Sequence, residues 1–157
     1  MLFEARGIGP ALEDDMTVKS ILDRKGRAVT TVERDITLIE AARLLTESNI
    51  GAVIVTEDGE KVLGILSERD IVRAVARVGG DALGRSVAEF MTRDVVHCTE
   101  GNSVNEVMTV MTNRRFRHLP VDVDGKLGGI VSIGDVVRRR IEEVEREAED
   151  IKAYIAS

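Results

Sequence analysis

The chain has 157 residues, 22 of them basic and 28 acidic, for a formal charge of −6 at pH 7. That length suits one compact domain or two very small ones, and 43% apolar against 32% charged residues supports a continuous core beneath a solvated surface, which excludes global disorder. No apolar run approaches the ~18 residues of a membrane-spanning helix. The opening MLFEARGIGPALEDD lacks the basic-then-apolar order of a secretory signal, so a cytoplasmic protein with no membrane partner is expected. One cysteine, Cys98, and two histidines, His97 and His118, leave no disulfide framework and no metal-ligand set of recognisable spacing. An acidic balance with a single tyrosine and no tryptophan argues against a broad nucleic-acid surface.

In chain order, residues 1–15 carry no strong periodicity and are expected to form a loosely docked leader. A short strand is predicted from Ala28 to Val32, and Thr37 with Glu40 then forms a T-x-x-E capping box. The box opens a helix whose Leu38, Ala41, Ala42 and Leu45 share one face. The run Ala52 to Val55, the Asp58-Gly59 turn signal and the run Val62 to Leu66 read as a β-hairpin. A second helix starts at Ser67, and a glycine-rich loop is expected from Gly79 to Ser86.

The same series then recurs. TLIEAARLLTESNIGAVIV from Thr37 aligns with SVNEVMTVMTNRRFRHLPV from Ser103 at an offset of 66, and GILSERDIV from Gly64 aligns with GIVSIGDVV from Gly129 at an offset of 65. The repeated elements are a strand Val95 to Cys98, a Ser103/Glu106 cap, the hairpin Leu119 to Val131 about Asp124-Gly125, and a helix from Ser132. A β-α-β-β-α unit of about 60 residues cannot bury both faces of its sheet alone. The expected fold is therefore α+β, two repeats packed sheet to sheet with pseudo-twofold symmetry and a cleft on each side of the interface. The expected divisions are a leader 1–15, repeat one 16–78, linker 79–86, repeat two 87–144, and the end of an extended helix 145–157. In that helix Val137, Ile141, Val144, Ala148, Ile151 and Ile155 follow heptad spacing. Such a seam either packs on its own or a neighbouring module or serves as a dimerisation face.

Catalytic signatures are lacking: no Walker loop, no dinucleotide fingerprint and no serine elbow. His97-Cys98 is no thiol dyad, because neighbours in a strand point to opposite faces and Cys98 aligns with Val32, a core position. The repeated S-x-x-D is the better candidate: Ser67-Glu68-Arg69-Asp70 and Ser132-Ile133-Gly134-Asp135, each at a strand-to-helix junction. Free N–H groups at a helix start, with a serine hydroxyl, favour a phosphate, and an aspartate can accept both hydroxyls of a ribose 2′,3′-diol. The same spacing is also an ordinary capping box. The basic cluster Arg114, Arg115, Arg117 and His118 precedes the hairpin strand LPV, and Arg69 offers a charge in the first motif. On sequence grounds Arg117 and His118 make the second-repeat site the more basic one and the expected phosphate site.

These residues resemble a known family. The doubled S-x-x-D after β-α-β-β, with NIGAVIV before GILSERDIV and RHLPV before GIVSIGDVV, is similar to tandem cystathionine-β-synthase (CBS) domains, the pair called a Bateman module, of the small stand-alone bacterial type. The resemblance spans about Met16 to Val144. It implies regulatory, non-catalytic binding of an adenosine-containing ligand: AMP foremost, with ADP, ATP, NAD(H) or S-adenosylmethionine as alternatives, and no metal requirement. Carried over residue by residue, it implies that Asp70 and Asp135 hold ribose and that Ser67 and Ser132 meet phosphate, with Arg69, Arg117 and His118 as further phosphate contacts. It also implies adenine contacts at Thr30, Thr31, Ile50, Gly51, Ala52, Val95, Val96, Met91 and Thr92. Lys25 would reach a second phosphate of a dinucleotide.

The leading expectation is an adenine-nucleotide sensor that forms a homodimer and acts on a separate, unknown protein partner. The alternative is an interaction or scaffold protein that dimerises through the repeats and the C-terminal helix and has no physiological nucleotide. A nucleic-acid binder and a nucleotide-converting enzyme rank below both.

Overall fold

The computed structural model describes Met16 to Ser157; the expected leader, 1–15, lies outside the described residues. Two three-stranded sheets form, each from a parallel pair joined by a crossover helix and then a hairpin. In the first half β1 (Thr31–Glu33), α2 (Leu38–Ser48), β2 (Ala52–Glu57), β3 (Lys61–Ser67) and α3 (Glu68–Val78) give sheet order β1-β2-β3. In the second half β4 (Cys98–Thr99), α4 (Val104–Arg114), β5 (His118–Val123), β6 (Lys126–Ser132) and α5 (Ile133–Ala156) give β4-β5-β6.

Local chemistry explains the shared pattern. Thr37, Ser67 and Ser132 each close a reciprocal capping box, and Asp58-Gly59 and Asp124-Gly125 all take positive φ, the backbone a tight right-twisted hairpin needs. The change of offset from 66 to 65 sits in the hairpin: three residues separate β2 from β3 and two separate β5 from β6. Both hairpins carry a bulge at the same place, between Val55 and Thr56 and between Val121 and Asp122. The fourth cap departs from expectation. Ser103 receives the Glu106 amide, but the Glu106 carboxylate accepts from Asn102 Nδ2 at 2.8 Å, so only half the box forms.

Alternation along the strands divides the core into three layers. Val53, Val55 and Leu66 point to the helices of the first half, whereas Ala52, Ile54 and Ile65 turn to the opposite face and pack with Val95, Leu127 and Ile130 between the sheets. The entering strands are shorter than predicted. Only Thr31–Glu33 and Cys98–Thr99 find parallel partners, and the residues before them, Val29 and Val95, peel away to fill the space between the sheets. Cys98 and Val32 are both buried, as their alignment requires, and burial pushes the Cys98 thiol up to about 12, far from a reactive thiolate.

The segment ahead of each half docks on the other half, which was not foreseen. Helix α1 (Val18–Lys25) buries Val18, Ile21 and Leu22 in the core of the second half. The stretch before β4 places Ala82 and Val87 in the core of the first, and the expected linker loop contains a 3-10 turn, Gly80–Gly84. Bridges Thr17↔Ser103 and Thr37↔Ser86 mark the two crossings. Close approach at each crossing demands a glycine. A Cβ on Gly64 would lie 2.6 Å from the Thr92 carbonyl oxygen, and one on Gly129 would lie 2.9 Å from Leu22 Cδ2.

Helix α5 runs on for 24 residues against 11 in α3. Its buried line is Val136, Arg139 and Glu143, whereas Val137, Ile141, Val144, Ile151 and Ile155 are exposed, so the heptad seam faces away from the module that carries it.

Candidate functional site

The strand-to-helix junctions place the two S-x-x-D motifs at the edges of the sheet interface. At the first, β3 ends at Ser67, whose hydroxyl accepts from the Asp70 amide at 3.3 Å, and Asp70 Oδ2 accepts from the Ser67 amide at 2.9 Å. The Glu68 amide donates to the Gly51 carbonyl at 3.0 Å. These bonds leave the Arg69 amide as the first-turn N–H with no partner among the described residues. Asp70 is only 9% exposed, and its Oδ1 accepts one long bond, 3.3 Å, from Thr92 Oγ1. That oxygen retains acceptor capacity toward the space in front of it.

The space is a cavity of about 400 Å³, within the range of small-ligand sites. Ser67 and Asp70 lie on its α3 side, and Val95, Val96, Ile65 and Gly51 supply apolar or backbone wall. Arg69 and Arg73, one helical turn apart on the same face of α3, border it on one side, and Arg114 to His118, between α4 and β5, border it on the other. Gly51 and His118 lie close together: a Cβ on Gly51 would stand 3.6 Å from His118 Nε2, an ordinary van der Waals distance. The pKa of His118 is lowered by its burial, with Lys25 and Arg117 adding to the effect against the opposing pull of Asp135 and Glu68, so the ring is mostly neutral at pH 7.

This arrangement corrects one expectation. Arg117 and His118 were assigned to the second motif because they precede its hairpin, yet they line the cavity of the first. The start of β5 lies at the sheet interface, where a side chain reaches across to the opposite repeat's junction. Of the residues expected at the adenine, Gly51, Val95, Val96 and Thr92 line this cavity, whereas Thr30, Thr31, Ile50, Ala52 and Met91 do not. Ala52 faces the opposite sheet, while Ile50 and Met91 pack on the first-half core. Arg73, Glu68 and Phe116 were missed as lining residues; for Arg73 the signal was its i+4 spacing from Arg69.

At the second junction Ser132 and Asp135 form the same box, with Asp135 Oδ2 accepting from the Ser132 amide at 2.8 Å. The same oxygen also holds Lys25 Nζ at 2.7 Å, with the two side chains 12% and 30% exposed. Burial raises the Asp135 carboxyl, but the bonds from Lys25 and the Ser132 amide outweigh it and leave the pKa below the ordinary 3.8. Lys25 therefore sits on the aspartate itself. No group of His, Cys, Asp and Glu suited to a metal occurs among the described residues. No helix there is long and apolar enough to cross a membrane.

Fold and site together define a pseudo-symmetric pair of β-α-β-β-α modules with an S-x-x-D junction facing a cleft between them. The chain belongs to the CBS domain family, whose profile matches residues 13–77 and 87–142. A solved CBS-domain containing protein from Agrobacterium tumefaciens is 50% identical, with 80% of this chain and 98% of that chain covered and a TM-score of 0.77. A mitochondrial CBS domain-containing protein of Arabidopsis thaliana is 32% identical over 90% of this chain and 73% of its own length. A further CBS domain pair, 28% identical, was solved in complex with 5′-methylthioadenosine and S-adenosyl-L-methionine; 81% of this chain and 97% of that chain are covered, at a TM-score of 0.72.

Proposed function

We propose that the chain is a regulatory module that binds an adenosine-containing ligand, AMP foremost with ADP, ATP, NAD(H) or S-adenosylmethionine as alternatives, in the cleft built on Asp70, and passes the bound state to a separate protein partner. The observation that carries this reading is the buried Asp70 carboxylate, with acceptor capacity turned to a cavity of about 400 Å³ that is lined by apolar side chains and by arginines from both halves. A ribose diol takes the carboxylate, a base lies against Val95 and Val96, and phosphate meets Ser67, Arg69 and Arg117. The adenosine ligands of the related CBS pair support the ligand class. In this reading the protein captures its ligand and does not convert it.

Homodimerisation is part of the proposal. The apolar faces of α3, with Val72 and Val75, and of α5, with Val137, Ile141 and Val144, are exposed in a single chain and offer the area a symmetric pair would bury. The same seam favours a second reading, a scaffold that dimerises with both clefts empty.

Calorimetric titration of AMP, ATP, NAD, NADH and S-adenosylmethionine into wild type, Asp70→Ala and Asp135→Ala separates the two. The nucleotide reading expects saturable binding that weakens roughly 10- to 100-fold in Asp70→Ala, the loss of a hydrogen-bonded charge. Asp135→Ala should bind as wild type does. No heat with any ligand from folded, ligand-free protein would leave the aspartates as helix caps and favour the scaffold.

A further inference from the structure

We propose that the Asp70 cleft selects nucleoside di- or triphosphates over nucleoside monophosphates and over cationic or neutral adenosine compounds. The inference rests on the nucleotide reading above and adds the charge class of the ligand. Five arginines, Arg69, Arg73, Arg114, Arg115 and Arg117, line the cavity against two carboxylates, Glu68 and Asp70, a surplus of three positive charges. Only Arg114 has a carboxylate within 4.0 Å among the described residues, the highly exposed Asp94 at 3.9 Å. The remaining four have no guanidinium partner among the described residues.

Their placement matters as much as their number. Arg69 and Arg73 rise from the first turns of α3 beside Asp70, and Arg114, Arg115 and Arg117 stand across the cavity at the end of α4. A phosphate chain leaving a ribose held at Asp70 therefore runs between two cationic walls. A single phosphate dianion leaves part of the surplus uncompensated, whereas a second or third phosphate meets it with charge-assisted, bidentate hydrogen bonds. S-adenosylmethionine, with a net positive charge, meets the same walls with repulsion.

Backbone geometry points the same way. Arg115 ends α4 in the left-handed region at φ 57, where its counterpart ending α2 is Asn49 at φ 52. Asparagine is an ordinary occupant of that conformation and arginine is not. The less comfortable residue sits at the helix end that faces the cavity, which fits a side chain kept for its charge.

The test is calorimetric titration of adenosine, AMP, ADP, ATP, S-adenosylmethionine and inorganic triphosphate, without divalent cations, into wild type and the double variant Arg115→Ala/Arg117→Ala. Both arginines are exposed, so the variant is expected to keep the wild-type circular dichroism spectrum. We expect each added phosphate to tighten wild-type binding about tenfold or more, no binding of S-adenosylmethionine, and a double variant in which ADP and ATP fall to the affinity of AMP. Equal affinities for AMP, ADP and ATP, or S-adenosylmethionine binding more tightly than ATP, would overturn the charge selection and leave the nucleotide reading standing. Binding of inorganic triphosphate with no affinity for any nucleotide would overturn both and leave a bare polyanion surface.

Discussion

Asp70 and Asp135 close the same capping box on the same helix of the two repeats, yet they face different neighbours. Asp70 meets only the Thr92 hydroxyl across its cleft, while Asp135 holds Lys25 in a short ion pair. The difference arises in the opening segment of each repeat. Each cleft is completed by the segment that crosses over from ahead of the other half, and these segments have diverged: VKSILDRK at one crossing and VAEFMTRD at the other are identical only at Val18/Val87 and Arg24/Arg93. Placed over each other by their bridges, Thr17 on Ser86, they set Leu22 on Met91 and Lys25 on Asp94. One crossing delivers a cation to the aspartate. The other delivers an anion that points to solvent, and the cavity stays open. A duplicated motif therefore guarantees a duplicated backbone but not a duplicated site.

The crossings can be broken individually, and the largest effect is expected at Leu22. It is fully buried in the second-half core, so Leu22→Ala should cost about 2–5 kcal/mol, a fall in melting temperature on the order of 10 °C. Met91 is only partly buried against the first-half core, and Met91→Ala should cost less. Equal losses in calorimetric melting would mean that the two crossings bear equal weight. Next come the glycines that admit them. A Cβ on Gly64 meets backbone, the Thr92 carbonyl at 2.6 Å, whereas a Cβ on Gly129 meets the flexible end of Leu22. Gly64→Ala should destabilise by about 1–3 kcal/mol and Gly129→Ala by less. Urea unfolding of the two variants gives the order directly, and the reverse order would mean that the Thr92 segment yields more readily than Leu22 does.

How much of this was legible follows from what each signal encodes. Capping residues, the Asp-Gly turns and the apolar spacing of Leu38, Ala41 and Leu45 are local, so repeats, sheets and helix starts could be read from the chain. Helix α1 carries a readable signal too, Thr17 with Ser20 and the spacing of Val18, Ile21 and Leu22, but it lies ahead of the aligned stretches that begin at Thr37 and Ser103. The grouping of side chains into clefts was not legible. Arg117 lies next to the second hairpin in sequence and across from Asp70 in space, and only the packing of sheet on sheet decides which neighbour counts. The seam on α5 was readable as a pattern, but its outward orientation depends on the burial of Val136, Arg139 and Glu143 on the opposite side.

The smallest expected effect sharpens the comparison most, because it separates the clefts by charge alone. The Asp135 carboxyl titrates below its ordinary 3.8 in the folded chain, through the bonds from Lys25 and the Ser132 amide that outweigh burial. A carboxyl whose pKa is lower folded than unfolded contributes stability that is fully present above the unfolded value and is lost as pH falls through the folded one. Unfolding measured from pH 6 down to pH 2 should therefore show an acid limb to which this ion pair contributes. Lys25→Met keeps the aliphatic stem and removes the charge, so the limb should become shallower while stability near neutral pH falls modestly. The variant should also release Asp135 Oδ2, and if Lys25 alone closes that cleft, nucleotide stoichiometry rises from one toward two per chain. An unchanged acid limb would mean that the Ser132 amide suffices to hold the carboxylate. An unchanged stoichiometry beside a shallower limb would mean that the charge of Lys25 does not decide whether the second cleft takes a nucleotide.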